Sequence, residues 1–179
     1  VTYVVMIPGQ NLGIVVLTNQ ENSYAMRAIM ENILQIYLDT GNINWVDRFA
    51  KIQTRSLAQA TKTVAEELEN KETKPLLRLE DYTGLYRDKW FGDVDITLID
   101  GELYFTAQKS LKLQGSLSPI MFNTFKVSWT DRSFNADAFA MFSTDFYGNV
   151  NGLKMKAISP LTDFSYDFHD LDFIKIIKN

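Results

Sequence analysis

The sequence predicts an α+β fold in which a β-hairpin and two helices precede an all-β antiparallel barrel of about eight strands. Two observations support this division. Between residues 23 and 68, apolar side chains recur at the three- and four-residue spacing of an amphipathic helix. From residue 75 onward the hydrophobic period becomes two, and most of the aromatic residues of the chain lie there. We therefore predict two domains, 1–74 and 75–179.

The first predicted element is the β-hairpin. Residues 2–7 and 13–18 have the composition of strands, and the Pro8-Gly9-Gln10-Asn11 stretch between them is a turn sequence. Residues 14–17 form an unbroken, mostly β-branched apolar run. Such a run is typical of a strand that is covered on both faces.

Two amphipathic helices follow the hairpin. The first spans residues 23–39, and Gly41 is expected to end it in a left-handed conformation. Asn44 is the expected N-cap of the second helix. The charged stretch at 66–74 is the solvated end of that helix. It stops before Pro75, because the residue that precedes a proline disfavours the helical conformation.

The clearest pairing signal of the second half lies in residues 94–107. Asp100-Gly101 is typical of a two-residue type I′ turn. That turn predicts three cross-strand pairs, Ile99–Glu102, Leu98–Leu103 and Ile96–Phe105. Further strands are predicted over residues 84–87, 112–117, 124–129, 138–143, 151–158 and 173–177. A closed barrel is the simplest arrangement for them, because closure leaves no exposed strand edge.

The composition excludes several classes of function. The formal net charge is −4 and the pI is about 5.0, so the basic surface that nucleic-acid binding needs is missing. No apolar run approaches the roughly 18 residues of a transmembrane helix. The chain has no cysteine, which excludes disulfides, thiol nucleophiles and Cys-ligated zinc. We predict no cofactor and no metal site.

The Gly-Ile-Val-Val-Leu-Thr-Asn run at residues 13–19 stands directly before a helix. Within the longer stretch 2–34, this run resembles the end of the serine β-lactamase and penicillin-binding-protein-like hydrolases, in their class C, esterase and D-aminopeptidase-like branch. The Leu-Glu-Asp-Tyr-Thr-Gly-Leu-Tyr segment at 79–86, followed by the Asp-Gly hairpin, is similar to the lipocalin-like β-barrel that often follows these hydrolases. The function of that barrel is unsettled.

The resemblance implies an acyl-enzyme mechanism in the parent protein. There a serine attacks an amide or ester carbonyl, and a lysine three residues later helps to remove its proton. None of the lysines in this sequence has a serine three residues before it. Tyr147-Gly148-Asn149 matches the second motif, Tyr-x-Asn, but a Gly-Asn pair between strands is expected to form a turn. Tyr82-Thr83-Gly84 lacks the cation of the third motif, Lys/His-Thr/Ser-Gly. We therefore assign no catalytic residue and expect the chain to be inactive alone.

By position, the third motif should lie upstream of Val1, so the resemblance implies a C-terminal fragment of a bacterial serine hydrolase. Its barrel would shape or stabilise the active-site region. The expected partner is the missing N-terminal hydrolase portion, which would cover the second face of strand 13–18. A second copy of the chain and a rearranged second helix are alternative covers. The family resemblance places the protein in the periplasm, at the cell surface or outside the cell.

The aromatic residues support an alternative hypothesis, a non-enzymatic barrel that binds a small apolar or glycan ligand. Tyr86, Trp90, Phe91 and Trp129, with Phe134, are the candidate residues at a barrel mouth. The competing interpretation is that large side chains fill the core of a barrel built from short strands. Trp90-Phe91 departs from that interpretation, because both residues stand in a loop next to a glycine.

The single histidine, His169, stands among aspartates, at 167, 170 and 172. A metal or acid–base role needs such groups to converge in a pocket. The alternation of the stretch instead predicts a solvated acidic loop, with Phe168 and Phe173 directed inward.

Overall fold

The computed structural model describes residues 1–19, 22–69, 74–163 and 165–177. Its contacts divide the chain into two units, Val1–Ala60 and Thr61–Asn179. The first unit contains β1 (Thr2–Ile7), β2 (Leu12–Leu17), α1 (Ser23–Leu38) and most of α2 (Trp45–Leu68). The second contains the end of α2, the short α3 (Leu79–Tyr82) and eight strands. The predicted α+β fold class is confirmed. The predicted domain boundary between residues 74 and 75 stays a prediction.

Strands β1 and β2 form a two-stranded antiparallel hairpin, as the turn sequence predicted. Pro8–Gln10 makes a single 3-10 turn, and Asn11 then takes a left-handed conformation with φ of 49°. The cross-strand register pairs Val4 with Val15, and pairs Val5 with Ile14. Partners directly opposite each other lie on the same face of a sheet, so these two pairs lie on opposite faces.

The helices agree with their predicted spans, but one cap differs. Asp39, and not Gly41, is the residue that ends α1 in the left-handed conformation, with φ of 50°. The short polar side chain of aspartate tolerates this conformation better than most side chains do. Asn44 caps α2 as predicted, because its Oδ1 accepts a hydrogen bond of 3.0 Å from the backbone N–H of Asp47. Residues 70–73 of the predicted charged end lie outside the described residues.

The eight remaining strands close into an antiparallel barrel, which confirms the prediction of about eight strands. Each strand pairs with its neighbours in sequence, and the last strand pairs with both β9 and β3 to complete the closure. The strands are β3 (Gly84–Asp88), β4 (Gly92–Ile99), β5 (Glu102–Ala107), β6 (Gln114–Met121), β7 (Thr124–Trp129), β8 (Ala138–Thr144), β9 (Val150–Ala157) and β10 (Asp172–Ile176).

The hairpin of β4 and β5 has the predicted register. Asp100 and Gly101 both have positive φ angles, 50° and 85°, as a type I′ turn requires. The three predicted cross-strand pairs, Ile99–Glu102, Leu98–Leu103 and Ile96–Phe105, are all present.

By contrast, β6 continues beyond its predicted end at residue 117, through Pro119, where the register shifts. Proline occurs within a sheet at such irregular positions, where it need not donate a hydrogen bond.

The barrel interior is filled largely by aromatic rings. Tyr82 of α3 is fully buried, and its ring centroid lies 5.0 Å from those of Phe125 and Phe142. Elsewhere in the core, Trp129 lies edge-on to Phe105 at 5.4 Å. Inward and outward side chains alternate along the end of β9, where Leu153 and Met155 are buried while Lys154 and Lys156 are exposed. No helix in the described ranges combines the length and the apolar character needed to cross a membrane.

Candidate functional site

One face of the β1–β2 hairpin is an exposed apolar surface. The pairs Val5–Ile14 and Tyr3–Val16 lie on the face where Ile14 is buried, and α1 packs on the hairpin. The opposite face, which we call the open face, consists chiefly of four exposed apolar side chains: Val4 (49% exposed), Met6 (76%), Val15 (60%) and Leu17 (72%). The sequence-based expectation of an exposed apolar face at this strand is confirmed.

The Tyr-x-Asn match at residues 147–149 is a turn, as predicted. The Asp145 carboxylate accepts hydrogen bonds from the side-chain amide of Asn149 and from the backbone N–H groups of Asn149 and Tyr147. These donors lower the pKa of Asp145, the Asn149 side chain having the largest effect. Gly148 has φ of 85°, and the Tyr147 side chain is exposed. The arrangement is that of a turn between β8 and β9.

Two of the four candidate ligand-binding residues, Tyr86 and Trp129, lie inside the barrel. The Tyr86 hydroxyl donates a hydrogen bond of 2.6 Å to the carbonyl of Tyr82, and burial raises the pKa of Tyr86. The Trp129 indole N–H donates to the carbonyl of Ala136 at 2.7 Å. Both polar groups are therefore satisfied by backbone carbonyls while their rings pack in the core.

The other two candidates are adjacent in the β3–β4 turn but point in different directions. Phe91 packs against the core, with its ring 5.7 Å from that of Phe173. Trp90 is 71% exposed. The structure thus places two of the four candidates in the core, one at its edge and one in solvent. The proposed ligand-binding role of these residues stays a prediction.

The turn that carries Trp90 is held by Asp88, which the sequence suggested to be one of several solvated aspartates but which is buried. Its carboxylate accepts hydrogen bonds from the backbone N–H groups of Trp90 at 2.8 Å, Phe91 at 2.7 Å and Asp172 at 3.0 Å. Burial disfavours the charged form of Asp88 and so raises its pKa. The three hydrogen-bond donors together have the larger effect, and the pKa of Asp88 is lowered. The available signal was an aspartate directly before a turn, which is typical of an Asx turn.

The environment of His169 agrees with the solvated loop that the sequence predicted. His169 Nε2 lies 3.6 Å from Asp170 Oδ1, and both side chains are exposed. The neighbouring Phe168 is buried, as is Phe173. Within residues 1–19, 22–69, 74–163 and 165–177, no three histidine, aspartate or glutamate side chains converge as a metal site would require.

The outer wall of the barrel also contains a groove that the sequence reasoning missed. Its floor includes Phe139 and Met141, which point outward from β8, whereas the alternating Ala138 and Ala140 are buried. The groove has a volume of about 300 Å³. Small side chains at the inward positions of a strand and large apolar ones at the outward positions were the available signal.

Comparisons with known proteins concern mainly the barrel. No curated protein matches the chain. A crystal structure of the C-terminal domain of penicillin binding protein Rv0907 is similar to 60% of this chain and 95% of that one, at 19% sequence identity and a TM-score of 0.43. The sequence model of a family described as a domain of unknown function, DUF3471, matches residues 68–175. Since that match covers more than half of the sequence, the chain belongs to the DUF3471 family.

Proposed function

We propose that the chain is the C-terminal region of a serine hydrolase related to the β-lactamases and penicillin-binding proteins, in their class C, esterase and D-aminopeptidase-like branch. The hairpin and its helices complete the hydrolase domain, and the lipocalin-like barrel shapes or stabilises the active-site region. The parent hydrolyses amides or esters through an acyl-enzyme, in the periplasm or outside the bacterial cell. This proposal rests on the sequence likeness of residues 2–34 and on the open face of the hairpin.

The open face is the observation that carries the proposal. Burying one exposed valine, leucine or methionine side chain stabilises an interface by about 1.5–3 kcal/mol. The open face presents four such side chains side by side on two paired strands. A hydrolase sheet and its helices would remove this surface from water. A second copy of the chain is the alternative partner that could bury the same apolar surface.

Activity measurements test the enzymatic part of this proposal. The full-length protein and this chain are compared for hydrolysis of a chromogenic ester and for covalent labelling by a fluorescent penicillin. We expect turnover or labelling of the full-length protein and neither with this chain, which has no Ser-x-x-Lys sequence. Covalent labelling of this chain would contradict the proposal.

The interface part is tested by co-expressing the chain with the remaining portion of the full-length protein. Leu17→Glu, on the open face, is expected to abolish co-purification, because it places a charge in an apolar interface. Leu111→Glu is a matched control, since Leu17 and Leu111 are 72% and 74% exposed. Equal loss with both variants would contradict the assigned interface. Sedimentation of the chain alone tests whether a second copy covers the open face instead. In that case the chain would sediment as a dimer, and Leu17→Glu would convert the dimer to a monomer.

A second candidate function is a non-enzymatic barrel that binds a small apolar or glycan ligand, and the exposure of Trp90 favours it. The Asp88 carboxylate holds the backbone of this turn, so the indole is presented on a fixed support. Rigid, exposed aromatic side chains are common anchors of binding sites. Binding of a glycan library to the chain, lost in Trp90→Ala and retained in Leu111→Ala, would support this function over the first.

A further inference from the structure

The groove on the outer wall of the barrel combines an apolar floor with a basic rim. Cross-strand pairing places Phe139 of β8 between Lys126 of β7 and Lys156 of β9. The same pairing places Met141 opposite Lys154. Partners directly opposite share one face of a sheet, so the lysines lie beside the two apolar side chains.

The lining of this groove is adaptable as well as apolar. Three of the six methionines border it: Met121, Met141 and Met155, the last of which is itself buried in the barrel core. Methionine side chains are flexible and polarisable, which suits surfaces that accept apolar ligands of varied shape. The volume of about 300 Å³ lies at the lower end of the range of small-molecule pockets.

Two of the lysines beside the groove, Lys154 and Lys156, are held only loosely by acidic partners. Lys154 Nζ lies 3.7 Å from Asp172 Oδ1, and Lys156 Nζ lies 3.9 Å from Glu67 Oε1. Both distances exceed those of N–H···O hydrogen bonds, and exposed pairs of this kind contribute little. A carboxylate that enters the groove can therefore compete for both ammonium groups.

We propose that this groove binds a small amphiphilic carboxylate, an acid with an aliphatic or aromatic body. Its apolar body contacts Phe139 and the methionines, and its carboxylate lies between Lys154 and Lys156. Charge complementarity selects the anion: the chain is acidic overall, with a net charge of −4, yet two lysines and a single acidic residue, Glu67, border this groove. The inference is independent of the hydrolase proposal, because it uses only residues of the second unit.

The methionines provide the readout for the test. Isotope-labelled methionine methyl groups of the intact chain are followed by NMR during titration with octanoate, octanol and octyltrimethylammonium. We expect octanoate to shift the signals of the three groove methionines saturably. The signals of the buried Met26 and Met30 in the first unit serve as internal controls and should not move.

Charge variants separate the anion site from general apolar binding. The double variant Lys154→Gln, Lys156→Gln is expected to weaken octanoate binding roughly three- to tenfold and to leave octanol binding unchanged. Lys89→Gln, another exposed lysine, is the matched control and should have no effect. Because these side chains are exposed, the variants should fold, which unchanged Met26 and Met30 signals would verify. Three results would overturn the proposal: no saturable shift, equal movement of the groove signals and the control signals, or an affinity for the alcohol or the ammonium equal to that for the acid.

Discussion

Asp88 shows how one side chain can hold distant segments of the barrel together. Its carboxylate connects the β3–β4 turn to Asp172, at the start of the closing strand. Hydrogen bonds to a charged acceptor contribute about 1.5–3 kcal/mol, and a buried donor left without an acceptor is destabilising. The structural importance of Asp88 therefore exceeds that of the exposed aspartates in the loops.

Replacing Asp88 is expected to destabilise the barrel. Asp88→Ala leaves three backbone N–H groups without their acceptor, and we expect a loss of about 3 kcal/mol in the free energy of unfolding. Asp88→Asn retains one acceptor oxygen and should lose less. Urea unfolding, followed by the fluorescence of the buried Trp129, measures both losses. Asp170→Ala, at an exposed position, is the control, and an equal effect there would contradict the role of Asp88.

The lowered pKa of Asp88 also predicts a dependence of stability on pH. A carboxyl whose pKa is depressed by folding stabilises the folded state above its unfolded pKa, about 3.9. That contribution is lost as the pH falls from there through the lower folded pKa. The difference in unfolding free energy between the native chain and Asp88→Asn should therefore be constant near neutral pH and shrink in acid. A difference that grows below pH about 4 would contradict this assignment.

At the scale of the element, strand packing explains why β6 contains a glycine. Gly115 is paired with Trp129 of β7. A Cβ at Gly115 would overlap the carbonyl oxygen of Ser128. This neighbour is backbone and cannot rotate away, so the two strands can approach only if the position lacks a side chain.

Gly115→Ala is therefore expected to disrupt the β6–β7 pairing. Overpacking against a fixed backbone destabilises by about 3 kcal/mol or more. Thermal unfolding monitored by near-ultraviolet circular dichroism of the core aromatic rings would measure the loss. Gly13→Ala is the matched strand glycine, because a Cβ there has nothing within 4 Å. A similar change in both variants would show that intrinsic propensity, and not packing, is responsible.

At the scale of the whole molecule, closure of the barrel depends on its last strand. β10 pairs with both β9 and β3, although β3 precedes it by more than eighty residues. Phe173 contributes a buried ring in contact with Phe91 and Phe105. Both the backbone pairing and the ring therefore link the two ends of the barrel sequence.

Removing the aromatic ring of Phe173 should destabilise the entire barrel. We expect Phe173→Ala to reduce the free energy of unfolding by about 3–5 kcal/mol, as for other buried phenylalanines. Ile174→Ala, the next residue in the strand, is exposed and should have little effect. Hydrogen exchange provides the global readout: protection should fall in β3 as well as in β9. A fall confined to β10 would contradict a cooperative closure.

The sequence by itself determined the local features of this protein. The change of hydrophobic period predicted the helices and the strands, because inward and outward positions alternate differently in each. The Asp100-Gly101 turn predicted the register of β4 and β5, since a two-residue turn leaves no freedom in pairing. The uniform apolar run of β2 likewise predicted a strand with two apolar faces, one of which carries the exposed Val15 and Leu17.

Only the tertiary structure decided which distant residues meet. The sequence offered Tyr86 and Trp129 either as ligand-binding residues at a barrel mouth or as core, and closure of the barrel buried both, whereas Trp90, which the sequence placed in a loop, is exposed. The contact of Asp88 with Asp172 and the groove beside Phe139 also arise from strands brought together by closure. The physical reason is that turn chemistry and periodicity act over a few residues, whereas burial depends on the packing of the whole barrel.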